Sequence, residues 1–318
     1  MGKKRAPEAK WRRQMKVSFD KDFISTLSDP AWSALFANVK VAGLAAESLT
    51  RAVVSKFGLG FGKVVRVTPQ KYEKSIPGLK GSRVDVEAES ADNELAVYEL
   101  QILYDRALPR RNLLAAAHRI SGSMPEGTDT SGYPAMMPKI TVINICCYNV
   151  RDDGENAGAI QPVQLRFGAP PHGVADDRYA VFYVQLPQFL AKEPDLADAF
   201  DCWMYMIWKS HELRKKPQEV VDMHTELKEF AARDGGFAQF CRRFDRVAAD
   251  EDARKAYIMW LDESIRQRSI VDSAVEEAVA PLLEQLSEKD AQLSEKDGQL
   301  SEKDARIAEL EARLSRKQ

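Results

Sequence analysis

The stretch KITVINICCYNV, residues 139–150, limits most strongly what this chain can become. Apolar residues run through it almost without alternation. A strand with one wet face alternates apolar and polar residues, whereas a near-continuous apolar run belongs to a strand covered on both faces. The expected class is therefore α/β, with a mixed sheet between helices. A chain of 318 residues that is 44% hydrophobic has enough apolar surface for one large core and an appendage.

The surrounding pattern supplies the layers. Asp29-Pro30 marks a helix start, with Asp as cap and Pro at the first position. A second helix is expected from about Val41 to Lys56, stopping at Gly58. The glycines of FGLGFGK, Gly58, Gly60 and Gly62, do not match the spacing of a dinucleotide loop, and no helix pattern follows them. They read as a turn into a strand. From residue 63 to 103 the period becomes two, which predicts strands over Lys63–Thr68, Ser82–Ala88 and Leu95–Leu103. A helical stretch at 105–121 and a loop at 122–135 precede the buried strand. A polar loop at 151–176, a strand RYAVFYVQL and helices from about Glu193 follow it. The expected domains are a basic tail (1–16), an α/β core (17–192), a helical region (193–281) and a terminal helix (282–318).

That terminal helix repeats LSEKDAQ, LSEKDGQ and LSEKDAR back to back, with a period of seven. Leu286, Leu293, Leu300, Ile307 and Leu314 share one heptad position. The companion position holds Val275, Leu282 and Leu310 at its ends but Lys289, Lys296 and Lys303 in the middle. Those lysines would have to snorkel out of an interface, so the helix carries a single leucine stripe rather than a full zipper. It reads either as a solvated single helix or as the seam of a homo-oligomer.

Charge and cysteine usage exclude several classes. Lys and Arg (46) nearly balance Asp and Glu (48), so a net charge of −2 offers no general attraction to nucleic acid. Residues 1–16 hold seven Lys/Arg against Glu8, and read as a solubilising tail or as an arm resting on phosphates, with Trp11 placed to stack. This N-terminus lacks an apolar secretory core, and Ala6 breaks the myristoylation pattern. No apolar run of about 18 residues occurs, so no membrane span is expected. Cys146, Cys147, Cys202 and Cys241 lack zinc-ligand spacing and read as buried thiols of a reducing cytoplasm. His118, His172, His211 and His224 are scattered, and Trp203, Tyr205, Met206 and Trp208 recur at core spacing.

The chemistry concentrates in GSRVDVEAESADNELAVYELQI, residues 81–102. Two strands flank an Asp/Asn-rich turn at Asp92-Asn93. If the hairpin is centred near Asp92, paired positions sum to 184 and Asp85 faces Glu99. Opposed side chains place Cβ atoms roughly 4.5–5.5 Å apart. A fold avoids two carboxylates so placed unless a hard cation lies between them, and Mg²⁺ accepts one or two carboxylates with water and phosphate completing its shell. Gln101 lies two residues beyond Glu99 and points to the same face. Glu87 is a rival to Asp85, being two residues on along that face. The competing reading makes Asp85 a partner of Arg83 or Lys80, and Glu99 the polar side of an amphipathic strand.

This order of residues resembles the PD-(D/E)XK nuclease superfamily, and within it the Rpn-type recombination-promoting nuclease and transposase group. The resemblance rests on Asp85 followed across a hairpin by Glu-X-Gln at 99–101. It extends through KVVRVTPQ, YDRALPRRNLLAA, GYPAMMPKITVINI and YAVFYVQLPQF, over roughly residues 20–265. It implies a restriction-endonuclease-like fold and Mg²⁺-dependent cleavage of DNA, with Mn²⁺ as a substitute ion, in a setting of recombination or mobile elements. Asp85 and Glu99 would hold the metal and Gln101 would position the water. Arg106, Arg110 and Arg111 would hold the DNA backbone, or simply mark an exposed helix start. The superfamily's helical Glu has a counterpart in Glu47, although Glu47 falls off the Ala45/Leu49/Val53 stripe and reads more strongly as a solvated helix position. Two departures stand out. Gln101 replaces the usual Lys, so hydrogen bonding replaces a full charge. Val84 replaces the Pro before the first acid. The alternative from another class is a non-catalytic oligomeric module that binds DNA or protein and retains a relic site.

Overall fold

The structure, a computed structural model, describes residues 18–36, 39–69, 72–73, 82–83, 85–102, 104–123, 127, 129–132, 136–150, 158–166 and 174–315. The basic tail with Trp11, Lys80, Val84 and His172 lie outside them.

Helices α1 (Asp29–Phe36) and α2 (Val39–Val54) open the described fold, and a short 3-10 turn ends at Gly58 with φ of 68°. That left-handed conformation suits glycine and stops the helix where expected. Strands β1 (Val64–Pro69), β4 (Val86–Ser90), β5 (Glu94–Gln101), β6 (Lys139–Cys146), β7 (Ile160–Arg166) and β8 (Val174–Gln185) form one sheet. Its order is β1-β4-β5-β6-β8-β7. Strands β5, β6 and β8 run parallel, while β1, β4 and β7 join antiparallel, so the sheet is mixed. Two short strands, β2 (Tyr72–Glu73) and β3 (Ser82–Arg83), pair separately.

The run that opened the sequence reading behaves as expected. All of Ile140–Cys146 is buried. One face of the sheet packs on α3 (Leu108–Ser123), which joins β5 to its parallel neighbour β6. Here Val97, Val142 and Val181 meet Leu108, Ala115 and Ala116. Helices α1 and α2 pack against β1 and β4. Tyr98 turns to that side, donating to Ala46 O at 2.7 Å and lying 6.1 Å from the Phe36 ring.

Two expectations change. The strand read over Ser82–Ala88 is divided: β3 ends at Arg83, β4 begins at Val86, and Asp85 lies between them. The loop read over 151–176 contains β7 and the start of β8. Pro162 masked β7, because proline fits only edge strands, and β7 is the sheet's edge. The glycine segment does make a turn. Gly62 N donates to Glu94 Oε2 at 2.6 Å, tying the turn to the β4–β5 hairpin.

Beyond the sheet follow α4 (Leu186–Leu190), α5 (Ala199–Leu213), α6 (Pro217–Met223), α7 (Thr225–Arg233) and α8 (Gly235–Ala249). Asp198 caps α5 and Asp234 caps α8 through their carboxylates. Helix α8 crosses α2 so closely that a Cβ on Gly236 would lie 2.1 Å from Leu44 O. Trp203 and Met206 are fully buried, as their spacing predicts for core. All four cysteines are buried and free. The last helix, α9 (Glu251–Ser315), includes Pro281. The chain divides into two compact units, Met1–Trp260 and Leu261–Gln318. In the second unit Leu282, Leu286, Leu293, Leu300 and Ile307 are each more than half exposed. No helix among the described residues is long and apolar enough to cross a membrane.

Candidate active site

The β4–β5 hairpin sets the site. Val86 pairs with Tyr98, Glu87 with Val97, and Ala88 with Ala96, so the paired numbers sum to 184. The turn turns on Asn93, whose φ of 57° is a left-handed conformation that Asn tolerates. One step beyond the last pair, the same register extended would set Asp85 opposite Glu99. Its Oδ2 accepts a hydrogen bond from Leu100 N at 2.9 Å, so the carboxylate continues the ladder where the backbone of β4 ends. Alternation puts Glu87, Glu99 and Gln101 on the face covered by α3, and Asp85, just outside β4, adds its charge to the surroundings of Glu99.

Asp85, Glu99 and Gln101 are all buried, at 8%, 6% and 8% exposure. Gln101 Nε2 donates to Glu99 Oε2 at 3.2 Å, which leaves its amide oxygen as an acceptor. Burial raises Glu99 well above the usual carboxylate range, and the charge of Asp85 adds to this. Arg111 opposes the shift, Asp29 reinforces it, and Arg119 opposes it. Arg111 reaches in from the start of α3, with Nη2 3.6 Å from Glu99 Oε2 and Nη1 2.9 Å from Asp105 Oδ2. Asp105 also fixes the turn that leads into α3, its Oδ1 accepting from Ala107 N at 2.7 Å.

The rival acid is differently engaged. Glu87 forms a buried ion pair with Arg119 Nε, both side chains being nearly inaccessible. Next along the sheet, Asn144 lies beside Glu99 in the β5–β6 register, and Asn112 Nδ2 donates to Asn144 Oδ1 and Tyr183 Oη at 3.3 Å each.

Glu47 is not brought to this group. Its Oε2 accepts from Val64 N at 3.0 Å and its Oε1 pairs with Arg51 at 2.7 Å. Val64 pairs with Ser90, at the opposite end of β4 from Asp85. Five residues of strand separate Ser90 from Asp85, roughly 16 Å. Arg106 and Arg110 are exposed, whereas Arg111 is half exposed, bonded to Asp105 and facing Glu99. Among the described residues no group of three or more His, Cys, Asp or Glu is arranged to hold a metal ion. The donors at hand are two carboxylates and an amide oxygen. Those hard oxygens suit a small divalent cation that completes its shell with water and phosphate.

Sequence reasoning missed three contributors. Asp29 reads as a helix cap, and its carboxylate adds a small push in the same direction as Asp85 on Glu99. Arg111 reads as a DNA contact or an exposed helix start, and its proximity to Glu99 is the part the spacing does not reveal. Arg119 was not singled out. Ala115 and Arg119, four residues apart, lie on the buried stripe of α3, and Arg111, four residues before Ala115, stands at its exposed margin.

A buried acidic hairpin on a mixed sheet, with an arginine-bearing helix over it, defines the restriction-endonuclease-like class. Residues 63–274 match the family model of the PD-(D/E)XK nuclease family transposases, and the chain belongs to that family. No curated protein and no solved structure matches it.

Proposed function

We propose that the chain is a Mg²⁺-dependent DNA endonuclease acting in recombination or on mobile elements. The observation that carries this reading is the buried pair Asp85 and Glu99. Two like charges held together at low exposure destabilise a fold, and their retention is accounted for by a cation they hold in common. Asp85 and Glu99 would hold Mg²⁺, with Mn²⁺ as substitute. When bound, such an ion lowers the pKa of its water and offsets charge on the phosphate. Gln101 fixes the Glu99 carboxylate through its amide nitrogen and offers its amide oxygen to a water O–H, orienting the nucleophile. Arg106 and Arg110, exposed at the start of α3, hold backbone phosphates. Without a lysine the site lacks a fixed charge at the water, so turnover is slow.

The test is plasmid nicking by wild type and Asp85→Ala, with Mg²⁺ and with EDTA. Wild type should nick with Mg²⁺ alone, and Asp85→Ala should not. Equal nicking in all four reactions sinks the site.

The exposed stripe Leu282, Leu286, Leu293, Leu300 and Ile307 supports a homo-oligomer formed through α9. Light scattering should show a smaller mass once residues 282–318 are removed, and an unchanged mass ends that part of the proposal. The absence of a membrane-crossing helix among the described residues is in keeping with a cytoplasmic location.

A further inference from the structure

Glu99 needs a counter-charge, and the structure offers two arginines with different commitments. Arg119 is buried, with Nε paired to Glu87 and Nη1 donating to Ala115 O, and its Nη2 has no hydrogen-bond partner among the described residues and no access to solvent through which a phosphate could reach it. Arg111 is half exposed. One edge of its guanidinium is anchored to Asp105, which is itself held by a hydrogen bond from Ala107 N in the turn before α3. The other edge stands 3.6 Å from Glu99, inside ion-pair range but beyond the usual 2.7–3.2 Å of a formed N–H···O bond. Arg111 is thus aimed at the carboxylates without being locked to them, and part of it faces solvent. Gln101, on the other side of Glu99, carries no charge.

We propose that Arg111 is a catalytic residue, which supplies the positive charge Gln101 cannot and makes that charge available to the scissile phosphate. This rests on the nuclease reading above. In the metal-free protein Arg111 balances Glu99. When substrate arrives, the guanidinium edge facing Glu99 donates to a non-bridging phosphate oxygen, where a fork of fixed donors stabilises the charge that develops. In the reaction, the water oxygen bonds to phosphorus and the P–O ester bond breaks, its electron pair leaving on the ester oxygen. One water proton ends on that leaving hydroxyl, and the other stays on the new phosphate monoester or passes to solvent. Arg111 keeps its protons throughout, as an arginine does.

The assignment has a signature that a merely structural arginine lacks. A cation beside Glu99 repels an incoming divalent ion, yet helps the phosphate react. Arg111→Ala should therefore bind Mn²⁺ more tightly and cleave more slowly. The experiment titrates Mn²⁺ into the full-length protein by calorimetry, and measures nicking at saturating Mn²⁺, for wild type, Arg111→Ala, Arg111→Lys and Asp85→Ala. Arg111→Ala should gain roughly tenfold in Mn²⁺ affinity and lose about 10²–10³-fold in cleavage. Arg111→Lys, which keeps the charge but not the fork, should return to wild-type Mn²⁺ affinity with intermediate cleavage. Unchanged or weaker Mn²⁺ binding by Arg111→Ala, or unchanged cleavage, overturns the assignment. If wild type binds Mn²⁺ through Asp85 and nicks DNA while Arg111→Ala alters neither, Arg111 alone is misassigned. If wild type shows no binding that Asp85→Ala removes, both readings fall together.

Discussion

Arg119→Met tests how α3 is fixed over the site, and the expected loss follows from burial. The Glu87 and Arg119 side chains are 4% and 2% exposed, and the arginine also donates to Ala115 O at 2.8 Å. Removing one partner of such a pair leaves the other charge in the interior without its counter-ion, which costs about 3–5 kcal/mol. For a domain of this size roughly 2–4 °C is lost per kcal/mol, so the melting temperature should fall by on the order of 10 °C. Urea unfolding followed by tryptophan fluorescence reads the change, since Trp32 and Trp203 are fully buried. The double variant Glu87→Leu/Arg119→Met removes both charges and fills the space with apolar atoms. It should recover most of the loss, because an apolar replacement of a buried pair is often neutral. The same experiment separates Glu87 from Asp85: Glu87→Gln should lose stability yet bind Mn²⁺ like wild type. The reasoning fails if Arg119→Met costs under about 1 kcal/mol, or if the double variant is no more stable than the single one.

Two further predictions concern packing and charge. Gly236→Ala places a Cβ 2.1 Å from Leu44 O, so α2 and α8 must move apart, and overpacking of this kind costs about 1–3 kcal/mol in urea unfolding. Glu99 is held above its ordinary range by burial and by Asp85, so in EDTA its ionisation opposes folding. Stability from this group is present below the ordinary glutamate range and is lost as pH rises from that range through the raised folded value. Glu99→Gln should therefore flatten the fall in melting temperature between acidic and mildly alkaline pH, and an unchanged slope would show that Glu99 does not couple to folding.

The hairpin was legible because its register is local. A turn at Asp92-Asn93 leaves one pairing that keeps Val86, Ala88, Ala96 and Tyr98 on one face, and the ladder follows it. The continuous apolar run of β6 likewise announced a strand covered on both sides. What escaped were contacts set by how α3 settles on the sheet. Nothing in the spacing of residues 87 and 119 says that they meet, and the preference of Glu99 for Arg111 over Arg110 depends on helix rotation of about 100°. Glu47 shows the converse limit. Its residue type suits a metal, but the head of β1 offers a nearer use for its carboxylate.

Strand β5 carries both halves of the molecule at once, and this explains how the acidic pair can be held. Tyr98 and Leu100 face α1 and α2, where Tyr98 is bound to Ala46 O, while Glu99 and Gln101 face α3. A slip of one residue would put Glu99 among Trp32 and Phe36 and bring Tyr98 against Arg111, so the apolar face enforces the position of the polar one. The parallel partner β6 adds a second lock, with Leu100 and Gln101 paired to Ile145 and Cys146, and Cys147 N donating to Gln101 O at 2.8 Å. Repulsion between Asp85 and Glu99 therefore acts against a strand fastened on both edges, and it shows in the Glu99 carboxyl being held well above its ordinary range by burial and by Asp85. On the proposal made above, Arg111, with Nη2 3.6 Å from Glu99 Oε2, offsets this pair when no metal is bound and is also placed to stabilise charge on a phosphate.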